Sequence, residues 1–255
     1  MKRRNFVASS LLAVPALATS EPSKPDAQKA VYEWRTYEPK YGSPQSSIEN
    51  YLKDALIPAL NRQGAKNVGV FREMGKSDPA KLHVLIPYPS WDAYTTAASK
   101  LASDQAFGQA SQSYVSLTPE KAPFARYTTS LMSAFDGLPQ LAVPAKEPRI
   151  FELRTYEGYN EDAVRRKVKM FNVDEIKIFN NTGLHSVFFG EVVAGEHMPC
   201  LTYMLTFKDM AERDANWKQF GADPDWKRVS QAPEYANTVS NIIRIFLEPT
   251  AYSQV

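Results

Sequence analysis

VYEWRTYE at residues 31–38 and IFELRTYE at residues 150–157 are nearly the same octapeptide, placed 119 positions apart. Five of the eight residues are identical, and the other three pairs keep their apolar character. The similarity continues beyond the octapeptide at the same offset, in the pairs Ile57/Ile176, Asn61/Asn180, Gly64/Gly183, Leu82/Leu201 and Asp104/Asp223. Self-similarity at a fixed period indicates a repeated structural unit. A unit of this length is a whole domain, so the sequence predicts two related domains in one chain.

Each repeat has the pattern of a β-α-β-β-α-β unit. The octapeptide combines β-branched and aromatic residues with alternation, which is typical of a strand. Apolar residues at helical spacing follow it and end at a glycine, Gly64 or Gly183, where a helix-ending glycine is expected. The helices are predicted at residues 46–63 and 161–181 and from Trp91 and Asp209, and the later strands at 68–74, 81–88, 124–135, 186–193, 200–207 and 238–249.

This element order predicts an α+β fold made of two tandem ferredoxin-like (βαββαβ) repeats. A ferredoxin-like sheet is antiparallel and has helices on one face only. Its bare face needs a partner, and a second copy in the same chain supplies one. We therefore expect two sheets packed face to face, as an intrachain version of a dimeric α/β barrel with a cavity between them. The predicted repeats are residues 31–136 and 149–255, joined by the proline-rich linker 137–148.

The N-terminus has the layout of an export signal over residues 1–18. Lys2, Arg3 and Arg4 precede a short apolar run, and Ala16–Leu17–Ala18 has the small-x-small form of a cleavage site. The adjacent arginines resemble a bacterial twin-arginine signal, with an ordinary Sec signal as the alternative. The apolar run is too short to span a bilayer. We expect an exported, soluble protein without a membrane span, whose residues 19–30 form a flexible lead.

Composition excludes several function classes. The 255 residues carry a formal charge of +2, which becomes −1 once the three N-terminal basic residues are removed, so nucleic acid is not an expected partner. Cys200 is the single cysteine and forms no internal disulfide. No metal-binding, nucleotide-binding or nucleophile-elbow motif is present. The sequence therefore predicts no metal site and gives no cofactor.

Strand alternation divides the octapeptide into two faces. The apolar set, Tyr32, Trp34 and Thr36, is expected to pack on the helices, as are Phe151, Leu153 and Thr155 in the second copy. The opposite set is expected to point into the barrel and consists of Glu33, Arg35, Tyr37, Glu152, Arg154 and Tyr156.

Two interpretations of this polar set remain open. As ligand-binding residues, the arginines would hold an anionic or carbonyl group with the tyrosine hydroxyls as partners. As a structural brace, the Glu–Arg pairs would only stabilise the barrel, because a buried charge is costly unless it is paired.

Each repeat resembles the NIPSNAP domain in the motif E-[WL]-R-T-Y-E, followed by a helix, a glycine and a hydrophobic strand. The segments Asp223–Trp226 and Asp104–Phe107 agree with it. The resemblance covers the chain after the predicted signal and implies two tandem domains of the dimeric α/β barrel superfamily. That superfamily includes small monooxygenases and haem enzymes, but the NIPSNAP family has no firmly assigned reaction. The resemblance therefore implies a fold more than a function.

Among the three histidines, His83 is the candidate catalytic residue. It alternates with Leu82 and Val84 on the third strand, so it is expected to face the cavity, and the position that matches it in the second repeat is Thr202. A hydrogen-bonded wall residue is the alternative role for His83. His185 and His197 are expected at the surface.

Three functions follow from these alternatives. The first is a binding module for a small organic ligand, and the second is a cofactor-independent oxygenase or haem enzyme using the same cavity. The third is a structural or protein-interaction module. The sequence leaves two alternatives for assembly, a monomer with an internal pseudo-dimer or a homo-oligomer.

Overall fold

The structure is a computed structural model that describes residues 28–42, 45–75 and 80–255. The predicted signal peptide and most of the predicted lead therefore lie outside the described residues. Below, "first half" means residues 28–136 and "second half" means residues 149–255.

The first half contains four strands and several helices. A π-helical stretch, Tyr51–Leu56, joins α1 to α2, so that helix runs continuously from Ser46 to Arg62. The elements in chain order are β1 (Val31–Pro39), α1 (Ser46–Asn50), α2 (Ile57–Arg62), β2 (Gly69–Glu73), β3 (Leu82–Tyr88), α3 (Trp91–Ser103), α4 (Gln105–Ala110), α5 (Gln112–Val115) and β4 (Phe124–Ala134).

The second half has the same order of strands and long helices. The π-helical stretch Phe171–Glu175 again joins two helical segments into one helix. The elements are β5 (Ile150–Glu157), α6 (Glu161–Met170), α7 (Ile176–Asn181), β6 (His185–Ala194), β7 (Cys200–Phe207), α8 (Met210–Ala222), α9 (Pro224–Ser230) and β8 (Asn241–Pro249). The sequence predicted these strands and helices at nearly the same positions.

The eight strands close into one barrel with the order β1-β3-β2-β8-β5-β7-β6-β4. All neighbouring pairs are antiparallel, and the pairs β2–β8 and β4–β6 connect the two halves. The order within the first half, β4-β1-β3-β2, is repeated in the second half as β8-β5-β7-β6. The fold is therefore a mixed α/β fold around a closed antiparallel barrel, as the predicted barrel requires.

The registers of β1 with β3 and of β5 with β7 are the same at an offset of 119 residues. Thr36 lies opposite His83 between β1 and β3, and Thr155 lies opposite Thr202 between β5 and β7. Gly64 and Gly183 both follow a long helix with positive φ, at 93° and 73°. Left-handed backbone of this kind favours glycine, as the sequence predicted for a helix end.

Three apolar cores fill the protein, and they show that the predicted orientation of the octapeptide is wrong. The barrel interior holds the aromatic set of the octapeptide, including Tyr32, Trp34 and Phe151, packed with Phe71 and Phe188. The other two cores lie between the sheet and the helices, one in each half.

The polar set faces the helices instead of the cavity. Tyr37 packs with Leu52 and Leu56 of the first-half helix, and Tyr156 packs with Phe171 of the second-half helix. Alternation separates two faces but does not say which is inside when both are buried. Here the barrel interior is itself an apolar core, so the larger aromatic side chains fill it.

In the part of the chain that the structure describes, no helix is long and apolar enough to cross a bilayer.

Candidate functional site

A cavity of about 180 Å³ lies at one end of the barrel. It opens where β2 ends at Glu73, where β3 begins after Lys81, and where the β6–β7 loop passes with Glu196 and His197. Each of the eight strands contributes at least one residue to the lining of this cavity. The lining residues are Trp34, Thr36, Glu73, Lys81, His83, Ser130, Met132, Leu153, Thr155, Val192, Glu196, His197, Thr202, Ile243 and Ile245.

A hydrogen-bonded chain of three side chains forms the polar wall of the cavity. The Nδ1 atom of His83 lies 3.1 Å from Thr36 Oγ1, and its Nε2 atom lies 3.1 Å from Glu73 Oε1. The imidazole is only 3% exposed. The Trp34 indole stacks on it, with ring centroids 5.4 Å apart. His83 therefore lies in the cavity wall, as predicted, with both ring nitrogens engaged.

The opposite wall has hydroxyl groups but no ionisable side chain. Thr155 and Thr202, which correspond to Thr36 and His83, are joined by a hydrogen bond of 2.9 Å between their hydroxyl oxygens. Val192 occupies the position that corresponds to Glu73. The remaining inner surface combines the Ser130 hydroxyl with the apolar side chains of Met132, Leu153, Val192, Ile243 and Ile245. The cavity thus has one wall suited to acid–base chemistry and one that is not.

The basic side chains at the mouth of the cavity are paired with carboxylates. Lys81 lies 3.3 Å from Glu38, and His197 lies 3.0 Å from Glu157. Glu38 and Glu157 are the last residues of the two octapeptides, so each octapeptide ends on a carboxylate that holds a basic side chain at the mouth.

The polar set of the first octapeptide forms a closed ion-pair cluster outside the barrel cavity. Glu33 accepts hydrogen bonds from Arg35 at 2.5 and 3.0 Å, from Tyr88 at 3.0 Å and from Thr129 at 3.0 Å. Burial acts to lower the pKa of Arg35, but the hydrogen bond and charge of Glu33 outweigh it and the pKa is raised. The pKa of Tyr88 is also raised, by burial and by the neighbouring Glu33 carboxylate.

The second octapeptide builds a different cluster around Glu152, which is fully buried. Glu152 accepts from Arg154 at 2.8 Å, from Arg213 at 2.8 and 3.0 Å, and from the Trp217 indole at 2.9 Å. Burial acts to raise the pKa of Glu152, but the Arg213 hydrogen bond and the Arg154 charge outweigh it and the pKa is lowered. The carboxylate therefore stays ionised between two guanidinium groups.

The two tyrosines of the polar set also lie under the helices. Tyr156 accepts a hydrogen bond of 2.8 Å from Tyr203, and the Arg154 guanidinium lies 5.4 Å from its ring centroid. Tyr37 packs edge-on against Phe124 at 5.0 Å. The six predicted ligand-binding residues thus come together as two clusters, one in each half, and none of them lines the barrel cavity.

A haem does not fit the barrel cavity. Both ring nitrogens of His83 have hydrogen-bonding partners, Thr36 and Glu73, so neither nitrogen faces a metal. The volume of about 180 Å³ is also below the roughly 300–1,000 Å³ of ordinary cofactor pockets. Among the described residues, no group of three or more His, Cys, Asp or Glu side chains could hold a metal ion.

The other predicted positions carry no site. Cys200 is buried, and burial raises the pKa of its thiol to about 11, so it remains protonated at neutral pH. His185 is exposed at the start of β6, as predicted. His197 is also exposed, but it lies at the cavity mouth.

Sequence reasoning missed Glu73 and Thr36 as partners of His83. The strand pairing that the sequence predicted places Thr36 beside His83, so Thr36 could have been found once the faces were assigned correctly. Glu73 is the last residue of β2 and reaches His83 on the neighbouring strand β3, a contact that depends on the register in which Phe71 lies opposite His83.

Comparisons with known proteins support the fold. Residues 151–254 match the NIPSNAP family model, so the predicted resemblance is confirmed for the second half. A NIPSNAP-like domain protein from Burkholderia xenovorans is 17% identical, covers 42% of this chain and 90% of its own, and has a TM-score of 0.39. A search of curated protein sequences found no match to this chain.

Two solved structures are similar over nearly the whole chain. One is a provisionally assigned monooxygenase from Fusobacterium nucleatum, with a TM-score of 0.54 and 9% identity over 87% of this chain and 92% of its own. The other is a provisionally assigned monooxygenase from Lactobacillus acidophilus, with a TM-score of 0.53 and 9% identity over 87% and 94%. At this identity the likeness shows the α/β barrel fold alone.

Proposed function

We propose that the cavity at the barrel end binds a small organic molecule that carries a hydroxyl or carbonyl group. The observation that carries this proposal is the chain Thr36–His83–Glu73, a hydrogen-bonded acid–base group on one wall of a cavity whose other walls combine apolar side chains with hydroxyl groups. A small concave site with a few convergent polar groups is the usual form of a ligand site. In this proposal His83 is the candidate catalytic residue, as the sequence predicted.

The second half supports this proposal by serving as an internal reference. Thr202 and Val192 occupy the positions of His83 and Glu73 there, within the same strand register. The barrel therefore closes without an imidazole or a carboxylate at these positions. Burying a polar pair costs free energy that an apolar pair does not, so a role in binding or chemistry explains His83 and Glu73 better than a role in folding.

The Glu–Arg–Tyr clusters have a structural role in this proposal. Glu33 and Glu152 are saturated by donors from their own half. Their closed pairing favours the bracing interpretation, in which each cluster joins a central strand to the layer around it.

The two halves are in this proposal tandem ferredoxin-like repeats, residues 31–136 and 149–255, joined by the linker 137–148. The shared strand order and the common offset of 119 residues support it. We also propose export through residues 1–18. Cell fractionation of a bacterial host tests this, because replacing Arg3 and Arg4 by Lys should retain the protein inside the cell only if the twin-arginine route is used.

A ligand screen followed by thermal unfolding tests the binding proposal. Ligands that bind the folded state raise its melting temperature. We expect hits with wild-type protein that disappear in His83→Thr, the residue found at this position in the second half. His185→Thr is the matched control, because it makes the same change on an exposed strand end and should keep the hits. Hits that survive His83→Thr unchanged would contradict the assignment of the site.

Cofactor-independent oxygenation is a second candidate, favoured by a base that faces apolar walls. Removing a proton from a bound molecule leaves an electron-rich anion, which molecular oxygen can then oxidise. The two fold neighbours that are provisionally assigned as monooxygenases are consistent with this chemistry but do not carry it. Oxygen consumption in the presence of screened ligands tests this candidate. The wild-type protein should consume oxygen faster than His83→Thr, and equal rates for the two proteins would reject the candidate.

A further inference from the structure

We infer that the ligand of the barrel cavity is a single-ring phenol, or an enol of similar size and acidity, whose hydroxyl group donates to Thr36 and passes its proton to His83. This inference rests on the proposed function, because it names the ligand class of the same cavity. Four features of the cavity carry it: its volume, its apolar walls, the order of its hydrogen bonds and the charges at its mouth.

The volume limits the ligand to one ring. A dry apolar cavity of about 150 Å³ binds benzene, and this cavity measures about 180 Å³. The difference is about the 30 Å³ that one water molecule occupies in the liquid, which leaves space for one or two small substituents. A fused two-ring molecule requires the walls to move, and these walls belong to a closed barrel.

The walls match an aromatic ring better than a sugar or an amino acid. Five aliphatic or thioether side chains line the inner surface: Met132, Leu153, Val192, Ile243 and Ile245. Trp34 adds an aromatic surface beside the imidazole. Ser130, Thr155 and Thr202 add hydroxyl groups to the lining, but a ligand that is polar over its whole surface would leave the groups that meet the apolar side chains unpaired, at a cost for each group. A ring with a single hydroxyl leaves none unpaired.

The hydrogen-bond order provides a path for one proton. With Glu73 as a carboxylate, Nε2–H of His83 donates to it, and Nδ1 then accepts the Thr36 hydroxyl proton. Thr36 Oγ1 retains lone pairs that can accept a ligand hydroxyl. On transfer, the ligand O–H bond breaks and its electron pair stays on the ligand oxygen. The proton bonds to Thr36 Oγ1, the original Thr36 proton moves to Nδ1, and the resulting imidazolium is neutralised by Glu73.

The mouth disfavours ligands that are already anionic. The charged groups that face the cavity from the surrounding elements are Lys81, His197, Glu73 and Glu196. Lys81 lies against Glu38 and His197 against Glu157, so neither basic side chain is available to an anion without breaking its contact with a carboxylate. A ligand that enters as a neutral acid and ionises only after binding avoids repulsion by Glu73 and Glu196 at the mouth, whereas a carboxylate does not.

Bound 4-nitrophenol reports both binding and ionisation, because its anion absorbs at a longer wavelength than its neutral form. We expect quenching of tryptophan fluorescence on binding, with Trp34 in the cavity wall. We also expect the bound phenol to ionise at lower pH than the free phenol, with an ionisation constant raised about tenfold, within the range that a hydrogen bond or nearby charge produces.

Three comparison ligands test the ligand class. The methyl ether of 4-nitrophenol, 4-nitroanisole, has no hydroxyl proton to donate. It should bind at least tenfold more weakly than 4-nitrophenol, the loss expected for one unmade hydrogen bond in a buried site. Benzoate should bind weakly because of its charge, and 1-naphthol because of its second ring. Equal or tighter binding of any of the three would overturn the inference about ligand class.

Variants separate failure of this inference from failure of the proposed function. In His83→Thr and Thr36→Val the bound phenol should titrate like the free phenol, whereas His185→Thr should behave like wild type. If 4-nitrophenol binds wild type but its ionisation is unchanged, the proton path is wrong and the binding site stands. If other screened molecules bind in a His83-dependent way and phenols do not, the ligand class is wrong. If no molecule binds in a His83-dependent way, the proposed function itself fails.

Discussion

The helix layers of the two halves solve the same packing problem with opposite chemistry. In the first half, Ile48 and Leu56 lie on the continuous helix from Ser46 to Arg62, and both pack into the apolar core between the sheet and the helices. The second half has Lys167 and Glu175 at the corresponding positions, buried and joined by an ion pair of 2.6 Å. The Lys167 ammonium also lies 4.7 Å from the Phe171 ring centroid. The same backbone therefore accepts either pair, so the ion pair is not required to form this helix.

The clusters around the two octapeptide glutamates differ in a similar way. Glu33 has one cation, Arg35, whose side chain is 19% exposed, and two hydroxyl donors. Glu152 has two cations, Arg154 and Arg213, and is itself fully buried. In the first cluster the Arg35 guanidinium can be solvated by water if Glu33 is removed. In the second cluster both guanidinium groups rely on the buried Glu152 carboxylate for charge neutralisation. Comparing matched substitutions in the two halves measures what each arrangement contributes.

The largest expected effect is that of Glu152→Gln. It removes the carboxylate from two guanidinium groups, and the Nε atom of the buried Arg154 already has no hydrogen-bond partner among the described residues. We expect a loss of about 3–5 kcal/mol in the free energy of unfolding, measured by urea denaturation. Glu33→Gln should cost about 1–2 kcal/mol, because Arg35 reaches water.

Glu234→Gln is the control for this comparison, since it removes an exposed carboxylate paired with Lys169. It should cost at most about 1 kcal/mol. Equal losses for Glu33→Gln and Glu152→Gln would show that the second cation and the deeper burial do not matter.

The second prediction exchanges the ion pair of the second half for the apolar pair of the first. Lys167→Ile alone leaves Glu175 buried without its cation and should destabilise the protein by about 3 kcal/mol. Lys167→Ile with Glu175→Leu should be neutral or stabilising by about 1–4 kcal/mol. The double-mutant comparison isolates the coupling between the two side chains. A double variant as unstable as the single one would mean that the second-half core cannot accept the first-half residues.

The third prediction concerns pH and the same pair. Burial raises the pKa of Glu175 despite the neighbouring Lys167. The folded state therefore binds more protons than the unfolded state once pH exceeds the unfolded value of about 4.3. This contribution to stability falls as pH rises above that value. The stability gained by the double variant over wild type should accordingly be larger at pH 8 than at pH 4; an equal gain at both would contradict the raised pKa.

Most of the fold follows from local sequence features, because strands, helices and their order depend on periodicity and helix-ending glycines. The repeat at a constant offset also accounts for the matching registers of β1–β3 and β5–β7. Barrel closure through β2–β8 and β4–β6 followed from the need to cover the bare face of each sheet. These features are encoded within short segments or in the comparison of the two repeats.

The candidate site was predicted only in part, for a physical reason. His83 was placed in the cavity because its neighbours Leu82 and Val84 are purely apolar and leave one face for it. The octapeptide gave no such guide, since Trp34 and Arg35 lie on opposite faces that are both buried. Charge alone does not indicate a cavity, because a saturated ion pair can lie under a helix as well. Only the side-chain partners, Tyr88 and Arg213 among them, distinguish the two cases.

The smallest expected effect compares the two helix-ending glycines. Gly64 and Gly183 both have positive φ, so Ala at either position should cost about 1 kcal/mol through backbone strain. A Cβ atom at Gly64 would meet only Pro89 Cγ at 3.9 Å, an ordinary contact, whereas one at Gly183 would meet the Asn216 amide at 3.0–3.3 Å. Asn216 also donates a 2.8 Å hydrogen bond to the Gly183 carbonyl. Gly183→Ala should therefore lower the free energy of unfolding more than Gly64→Ala does, and equal losses in urea denaturation would show that Asn216 moves away at no cost.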